Sequence, residues 1–335
     1  MEPSDFTFRD GERVVRFGRG AAAQAVDLIR SAGIERYALL STARALDTAP
    51  TGLLNGARSV VVIPDGQVPQ LAAAVAAEAG EGPFVALGGG RVIDTAKALA
   101  ATAGSRCVAI PTTLAGSPLT PFHRLPEGVR GAAMVRPALA VCDPGLMASV
   151  PMPGLAATAM NALAHAVESL YAPGANPIAG DAAVRAIAGF GRAFVADPPD
   201  PDQLALAAVL AGWAVGTTGL ALHHALCQTI VGETGASHAR TNALVLPHTF
   251  AFMASRAPRE IGLAADALEA DGTSAAQQLS DLAVRAGATS LSGIGVGEVE
   301  VGRLLGAAEG HRALGATPGG AVTRAELREL LTKIL

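Results

Sequence analysis

The feature that most constrains this chain is an apolar run that ends in three consecutive glycines, with a helical stretch starting at once behind them. Phe84-Val85-Ala86-Leu87 has the composition of a buried strand, Gly88-Gly89-Gly90 follow, and Arg91-Val92-Ile93-Asp94-Thr95-Ala96-Lys97 opens an apolar-periodic helix. Glycine lets a backbone approach a phosphate closely. The N-terminus of the next helix adds free N–H groups and the positive end of its dipole. A simple strand-to-helix turn needs fewer glycines, so the segment reads as a pyrophosphate cradle, built differently from the spaced-glycine fingerprint.

Strand-then-helix alternation extends through the first half. Arg13-Val14-Val15, Tyr37-Ala38-Leu39-Leu40, Ser59-Val60-Val61-Val62-Ile63 and Cys107-Val108-Ala109-Ile110 read as further strands, with helical stretches at 21–32, 68–80 and 91–103. Short turns between such elements imply a parallel sheet covered on both faces. After Pro151-Met152-Pro153 the sequence turns Ala/Leu-rich. Helices are expected at 154–171, 177–194, 202–217, 219–232, 238–254, 258–270, 275–286, 297–308 and 321–334. The expected organisation is therefore an α/β dinucleotide-binding domain over 1–150 and an all-α domain over 151–335.

Composition narrows the function classes. Half of the 335 residues are hydrophobic, only 16% are charged, and three cysteines are scattered along the chain, which excludes both disorder and a disulfide scaffold. The mean hydropathy of +0.37 raises the question of a membrane bundle. The most apolar helical run, 204–222, is however broken by Gly212, Gly216, Thr217, Thr218 and Gly219, as suits a buried core helix. Met1-Glu2-Pro3-Ser4-Asp5 shows no signal-peptide pattern, so a cytoplasmic enzyme is expected. A net charge of −4 without a basic stripe argues against a nucleic-acid partner, and a small-molecule substrate is favoured.

Two further segments carry chemistry. Pro111-Thr112-Thr113-Leu114-Ala115-Gly116-Ser117-Pro118-Leu119-Thr120 lies past the C-terminal end of an expected parallel strand, where ligands of open α/β sheets bind. Its hydroxyls either face a ligand or cap their own loop. In the second half Asn161 and His165 are four apart on one helix face, and His223, His224, His238 and His248 follow. Converging imidazoles suit a metal or a proton-transfer site, whereas a single one is more often a satisfied core residue.

The segments Gly88-Gly89-Gly90…Asp94…Lys97, Pro111-Thr112-Thr113…Gly116-Ser117…Thr120 and His224…His238…Pro247-His248 stand in the order seen in iron-containing (group III) alcohol dehydrogenases. The chain resembles that family, within the dehydroquinate synthase-like superfamily. The run 159–172, His223-His224-Ala225-Leu226-Cys227 and 322–327 are most like its maleylacetate reductase branch. The resemblance implies NAD(H) or NADP(H) in a cleft between the two domains. Gly88, Gly89, Gly90 and Asp94 would line the pyrophosphate side, and Thr112, Thr113, Ser117 and Leu119 would lie near the nicotinamide. Ser41 and Thr42 stand where NAD-selective relatives carry Asp, which leaves NADPH admissible, with Arg44 available to a 2′-phosphate.

Metal-dependent members hold iron or zinc through one Asp and three His, and the matching positions here are Asn161, His165, His224 and His238. A neutral amide is a poor ligand for a divalent cation, so weak or no metal binding is expected at a vestigial site. Where the family has a further His, this chain has Gln228, which cannot exchange a proton near neutral pH. Arg91 replaces a usual Ser, Gly232-Glu233 a usual Gly-Gly, and the loops between Pro121 and Cys142 are trimmed.

The resemblance implies hydride transfer between nicotinamide and a small oxo or hydroxy acid. His165, His224 and His238 would serve the developing oxyanion, and His224 or His238 would donate the proton. His123, Arg124 and Arg240 are candidates for substrate carboxylates. One alternative is a secondary-alcohol dehydrogenase of specialised biosynthesis, acting on a modified amino acid or peptide C-terminus. Another is a non-catalytic scaffold. A homo-oligomer is implied by the family.

Overall fold

A computed structural model describes residues 5–269, 272–297, 301–309 and 311–334, and the chain divides into two compact units, Met1–Val150 and Pro151–Leu335. The first unit is built on strands β1 (Phe6–Asp10), β2 (Arg13–Phe17), β3 (Tyr37–Ser41), β4 (Ala57–Val62), β5 (Phe84–Gly88), β6 (Cys107–Pro111) and β7 (Leu139–Cys142), in the sheet order β1-β2-β7-β6-β5-β3-β4. Helices α1 (Ala25–Ser31), α2 (Ala43–Leu46), α3 (Val68–Ala79), α4 (Gly90–Ala103) and α5 (Pro144–Met147) connect them.

Strands β3, β5, β6 and β7 are buried along their whole length, which is why β3, β5 and β6 read as continuous apolar runs. Their side chains alternate between two cores. Ala38, Leu40, Phe84, Ala86, Cys107 and Ala109 face Leu71, Val75, Ile93 and Leu99 of α3 and α4, while Tyr37, Leu39, Val85, Leu87, Val108 and Ile110 face Ile29 of α1. Two strands were not expected from the sequence. β7 is a four-residue segment behind a long loop. β1 pairs antiparallel with β2 at the sheet edge, so the sheet is parallel except at that edge.

Topology marks a binding position within this unit. From β3 the chain moves outward to edge strand β4, returns to β5 on the other side of β3, and goes on to β6. The connections leaving β3 and β5 thus diverge, which opens a crevice beyond their C-terminal ends. Open α/β sheets bind ligands at such a switch point.

The second unit is helical: α6 (Met152–Ser169), α7 (Pro177–Ala193), α8 (Pro201–Thr218), α9 (Leu222–Thr234), α10 (His238–Met253), α11 (Pro258–Leu268), α12 (Ala275–Arg285), α13 (Val301–Ala308), α14 (Arg312–Gly315) and α15 (Arg324–Ile334). Side-chain caps set several starts: Asn176 caps α7, Asp200 caps α8 and Ser274 caps α12. The helix expected from residue 219 begins only at Leu222, because Gly219 takes a left-handed φ of 85° and breaks the chain between α8 and α9. Those two helices meet at 96°. No single helix among the described residues is long and apolar enough to cross a membrane. Residues 270 and 298–300, within two expected helices, lie outside the described residues.

Candidate active site

In the first unit the three glycines sit at the C-terminal end of β5. None of them has a positive φ, so they serve close approach rather than a left-handed turn. A Cβ on Gly88 would lie 2.8 Å from Val92 Cγ2, one on Gly89 3.1 Å from Thr113 Cγ2, and one on Gly90 3.3 Å from the Ala115 methyl. Gly89 is the N-cap of α4 and has no side-chain cap. The first turn carries no acidic residue. The N–H groups at this end are open to an anion.

The expected cofactor residues divide by what they already bind. Ser41 is buried and donates its hydroxyl to the Leu87 carbonyl at 2.8 Å. Thr42 Oγ1 accepts from Ala45 N–H and caps α2. Thr112 Oγ1 accepts from Arg44 at 3.4 Å, and Thr113 Oγ1 accepts from Ala115 N–H at 3.4 Å. Thr42, Thr112 and Thr113 therefore keep their O–H to donate, whereas Ser41 does not. Ser117 donates to Asp94 in a short hydrogen bond, and Leu119 is buried.

Lys97 explains that last pair. Its ammonium is wholly buried and lies 2.8 Å from Asp94 Oδ1, 2.6 Å from the Phe122 carbonyl, and 3.2 Å from both the carbonyl and hydroxyl of Ser117. Asp94 and Ser117 thus gather around a buried cation that ties α4 to the 117–122 loop. Arg91, in the first turn of α4, pairs with Asp65 at 2.7 Å. His123 is a loop clip: its Nε2 accepts Val135 N–H at 3.0 Å. Burial holds it below the ordinary imidazole pKa.

In the second unit α6 places Asn161, His165 and Glu168 at steps of four and three residues, on one face. His224 comes from the first turn of α9. Its ring stacks on His165 with centroids 4.4 Å apart and 13° between planes, and meets His223 edge-on at 4.9 Å. Asn161 Oδ1, His165 Nδ1 and His224 Nε2 are buried polar atoms with no partner. Orphaned groups of this kind are costly unless a ligand satisfies them, and three together mark a binding position. Burial, and then the neighbouring imidazoles, holds His165 well below the ordinary pKa; burial and His238 do the same for His224. Both rings are neutral.

The remaining residues separate. His238 opens α10, is solvent-exposed, and is felt electrostatically by His165 and His224. Gln228 is half-buried one turn beyond His224 on α9. Arg124 and Arg240 are exposed. His223 is a satisfied core residue, 2.8 Å from Asn242 Oδ1 and 2.9 Å from Thr249 Oγ1. Cys227 is buried beside it, 3.5 Å from its Nε2.

Glu168 escaped the sequence reading. It is completely buried and binds His224 Nδ1 at 2.6 Å. The available signal was a lone carboxylate three residues after His165 in an otherwise apolar helix. Among the described residues no three His, Cys, Asp or Glu side chains are placed to hold a metal ion. Asn161 brings an amide, Glu168 is committed to α9, and the two stacked rings lie face to face. This donor set does not fit a divalent cation.

Two family models match. Residues 13–144 match "Iron-containing alcohol dehydrogenase", and residues 155–335 match "Fe-containing alcohol dehydrogenase family, C-terminal". Maleylacetate reductase 2 of Cupriavidus pinatubonensis is 37% identical over 280 residues, covering 78% of this chain and 77% of that protein. Maleylacetate reductase of Pseudomonas sp. strain P51 is 35% identical over 308 residues, covering 86% and 87%. The crystal structure of maleylacetate reductase from Rhizobium sp. strain MTP-10005 superposes with a TM-score of 0.81 at 28% identity, over 99% of this chain and 98% of that one. These matches do not favour a specialised alcohol dehydrogenase or a non-catalytic scaffold. With its parallel-sheet unit, its helical unit and relatives of this kind over most of its length, the chain belongs to the iron-containing alcohol dehydrogenase family and is a maleylacetate reductase-like oxidoreductase.

Proposed function

We propose that this chain transfers hydride between a nicotinamide dinucleotide and a small unsaturated oxo acid of the maleylacetate type, without a metal. The observation that carries the reading is the unpartnered set of buried polar atoms on Asn161, His165 and His224 in the second unit, in a chain whose first unit carries an uncapped glycine cradle on α4. The relatives named maleylacetate reductases support the substrate class. Gly88, Gly89 and Gly90 give the pyrophosphate close access to the α4 N–H groups, and Thr112 and Thr113 donate their remaining hydroxyl protons to the cofactor. Asp94 and Ser117 act through Lys97, holding the loop that carries Leu119. The dinucleotide, when bound, supplies the hydride.

The chain's own residues handle the substrate oxygen. Negative charge develops there on reduction, and prepositioned hydrogen-bond donors stabilise it, a role for His165, His238 and Gln228. His238, exposed at the start of α10, is the proton donor, because His165 and His224 are kept neutral by burial. Gln228 offers an amide N–H in place of a titrating imidazole. Arg240 and Arg124 are exposed cations for substrate carboxylates. No carboxylate stands on Ser41-Thr42 to reject a 2′-phosphate, so NADPH is accepted alongside NADH, with Arg44 beside Thr112 as its partner. On the same reading the protein is a cytoplasmic homo-oligomer acting on a small molecule, with neither nucleic acid nor membrane as partner.

The test is NADH and NADPH oxidation with maleylacetate, alongside a fluorescence titration of each dinucleotide. Turnover with saturable dinucleotide binding is expected. Binding without any oxidation of either cofactor would overturn the substrate class. Absence of binding would overturn the cradle.

A further inference from the structure

Glu168 has no part in the roles assigned above, yet its carboxylate meets an unusual set of donors. Helix α9 begins behind Ala221, which has no side-chain cap. The N–H groups of that helix end are met instead by Glu168, from another helix. Oε1 accepts His224 N–H at 3.2 Å, and the backbone N–H groups of Ala221 and His223 also point at the carboxylate. Oε2 lies 2.6 Å from His224 Nδ1. A carboxylate that already accepts backbone N–H groups meets Nδ1 as a further acceptor, which favours the imidazole proton on Nδ1.

The consequence lies on the opposite side of the imidazole. With its proton held on Nδ1, His224 carries a lone pair on Nε2, and Nε2 is the buried atom without a partner. The ring cannot turn away, because His165 covers its face and His223 its edge.

We infer that Glu168 is a positioning residue that locks His224 in the Nδ1–H tautomer, so that the site offers the reactant a hydrogen-bond acceptor at Nε2. The inference rests on the reading of His224 as a substrate-facing residue. Its chemical content is that His224 binds the hydroxyl of the reduced, hydroxy or enol, form. In the reductive direction the proton on that oxygen then comes from another group.

Glu168→Gln tests this without emptying the site. The Gln carbonyl must take the α9 N–H groups, which turns the amide NH2 toward Nδ1 and moves the imidazole proton to Nε2. Long-range 1H–15N correlation spectra of ligand-free, 15N-His-labelled protein report the tautomer, with His224 assigned by the signals lost in His224→Gln. The expected result is an unprotonated Nε2 in the native protein and in Glu168→Asp, and a protonated Nε2 in Glu168→Gln. With maleylacetate, kcat of Glu168→Gln falls about 10–100-fold, dinucleotide KM is unchanged, and Glu168→Asp recovers part of the loss. A protonated Nε2 in the native protein would overturn the inference. So would the same tautomer in Glu168→Gln, which would leave Glu168 a helix cap only. The spectra need no substrate, so they decide the matter even if maleylacetate proves not to be turned over.

Discussion

Replacing Lys97 by methionine is the sharpest test of how the first unit holds its loop. The side chain is wholly buried, and its ammonium is the shared partner of Asp94, the Phe122 carbonyl and both oxygens of Ser117. Methionine fills nearly the same volume, so packing changes little and the loss is electrostatic. Two carbonyls lose a charged donor, and Asp94 is left without its cation. Its side chain is 29% exposed, so water recovers part of that loss. Removing one partner of a buried pair costs about 3–5 kcal/mol. For a unit of this size that corresponds to a fall in Tm of about 6–20 °C. Thermal unfolding followed by circular dichroism reads it directly, and NADH titration follows the loop. Adding Asp94→Asn in the same chain removes the stranded charge and recovers part of the loss. A Tm within about 2 °C of the native protein would refute the reasoning, as would a double variant less stable than the single one.

Four further outcomes are expected. Gly88→Ala places a methyl 2.8 Å from Val92 Cγ2 and lowers stability by about 1–3 kcal/mol, and adding Val92→Ala restores it, as read from urea midpoints. His238→Ala loses turnover while NADH titration is unchanged, and unchanged turnover would remove His238 from the mechanism. Burial holds His223 at about 3 against the ordinary 6.5. The unfolded chain binds that proton first, so stability is complete above pH 6.5 and is lost progressively as pH falls from there toward 3. Urea midpoints between pH 8 and 4 check this, and the slope flattens in His223→Gln. Purification without chelator followed by elemental analysis completes the set, with less than stoichiometric Zn or Fe expected.

Much of the fold was legible because its signals are local. Buried parallel strands read as unbroken runs such as Phe84–Leu87, and the Asn and Asp caps and glycine breaks punctuate the helical half. The misses share a cause. β1 owes its existence to pairing with β2, and β7 is set in place by β2 and β6 rather than by its own four residues. The helix expected from residue 219 starts only at Leu222, because Gly219 takes a positive φ that its neighbours in sequence do not announce.

For the site, the sequence by itself determined the chemical inventory: a glycine cradle at a helix start, threonines beyond a strand end, an amide where the family's metal-dependent members have a carboxylate, and a glutamine where they have a histidine. Only the tertiary structure decided which of these are committed elsewhere. Hydrogen bonds between distant segments tie Ser41 to Leu87, and Asp94 and Ser117 to Lys97. They make His223 a core residue and leave its neighbour His224 with a bare Nε2. The reason is that an imidazole's role depends on which of its two nitrogens holds the proton. That choice belongs to whatever touches the other nitrogen, here a glutamate 56 residues earlier in the chain.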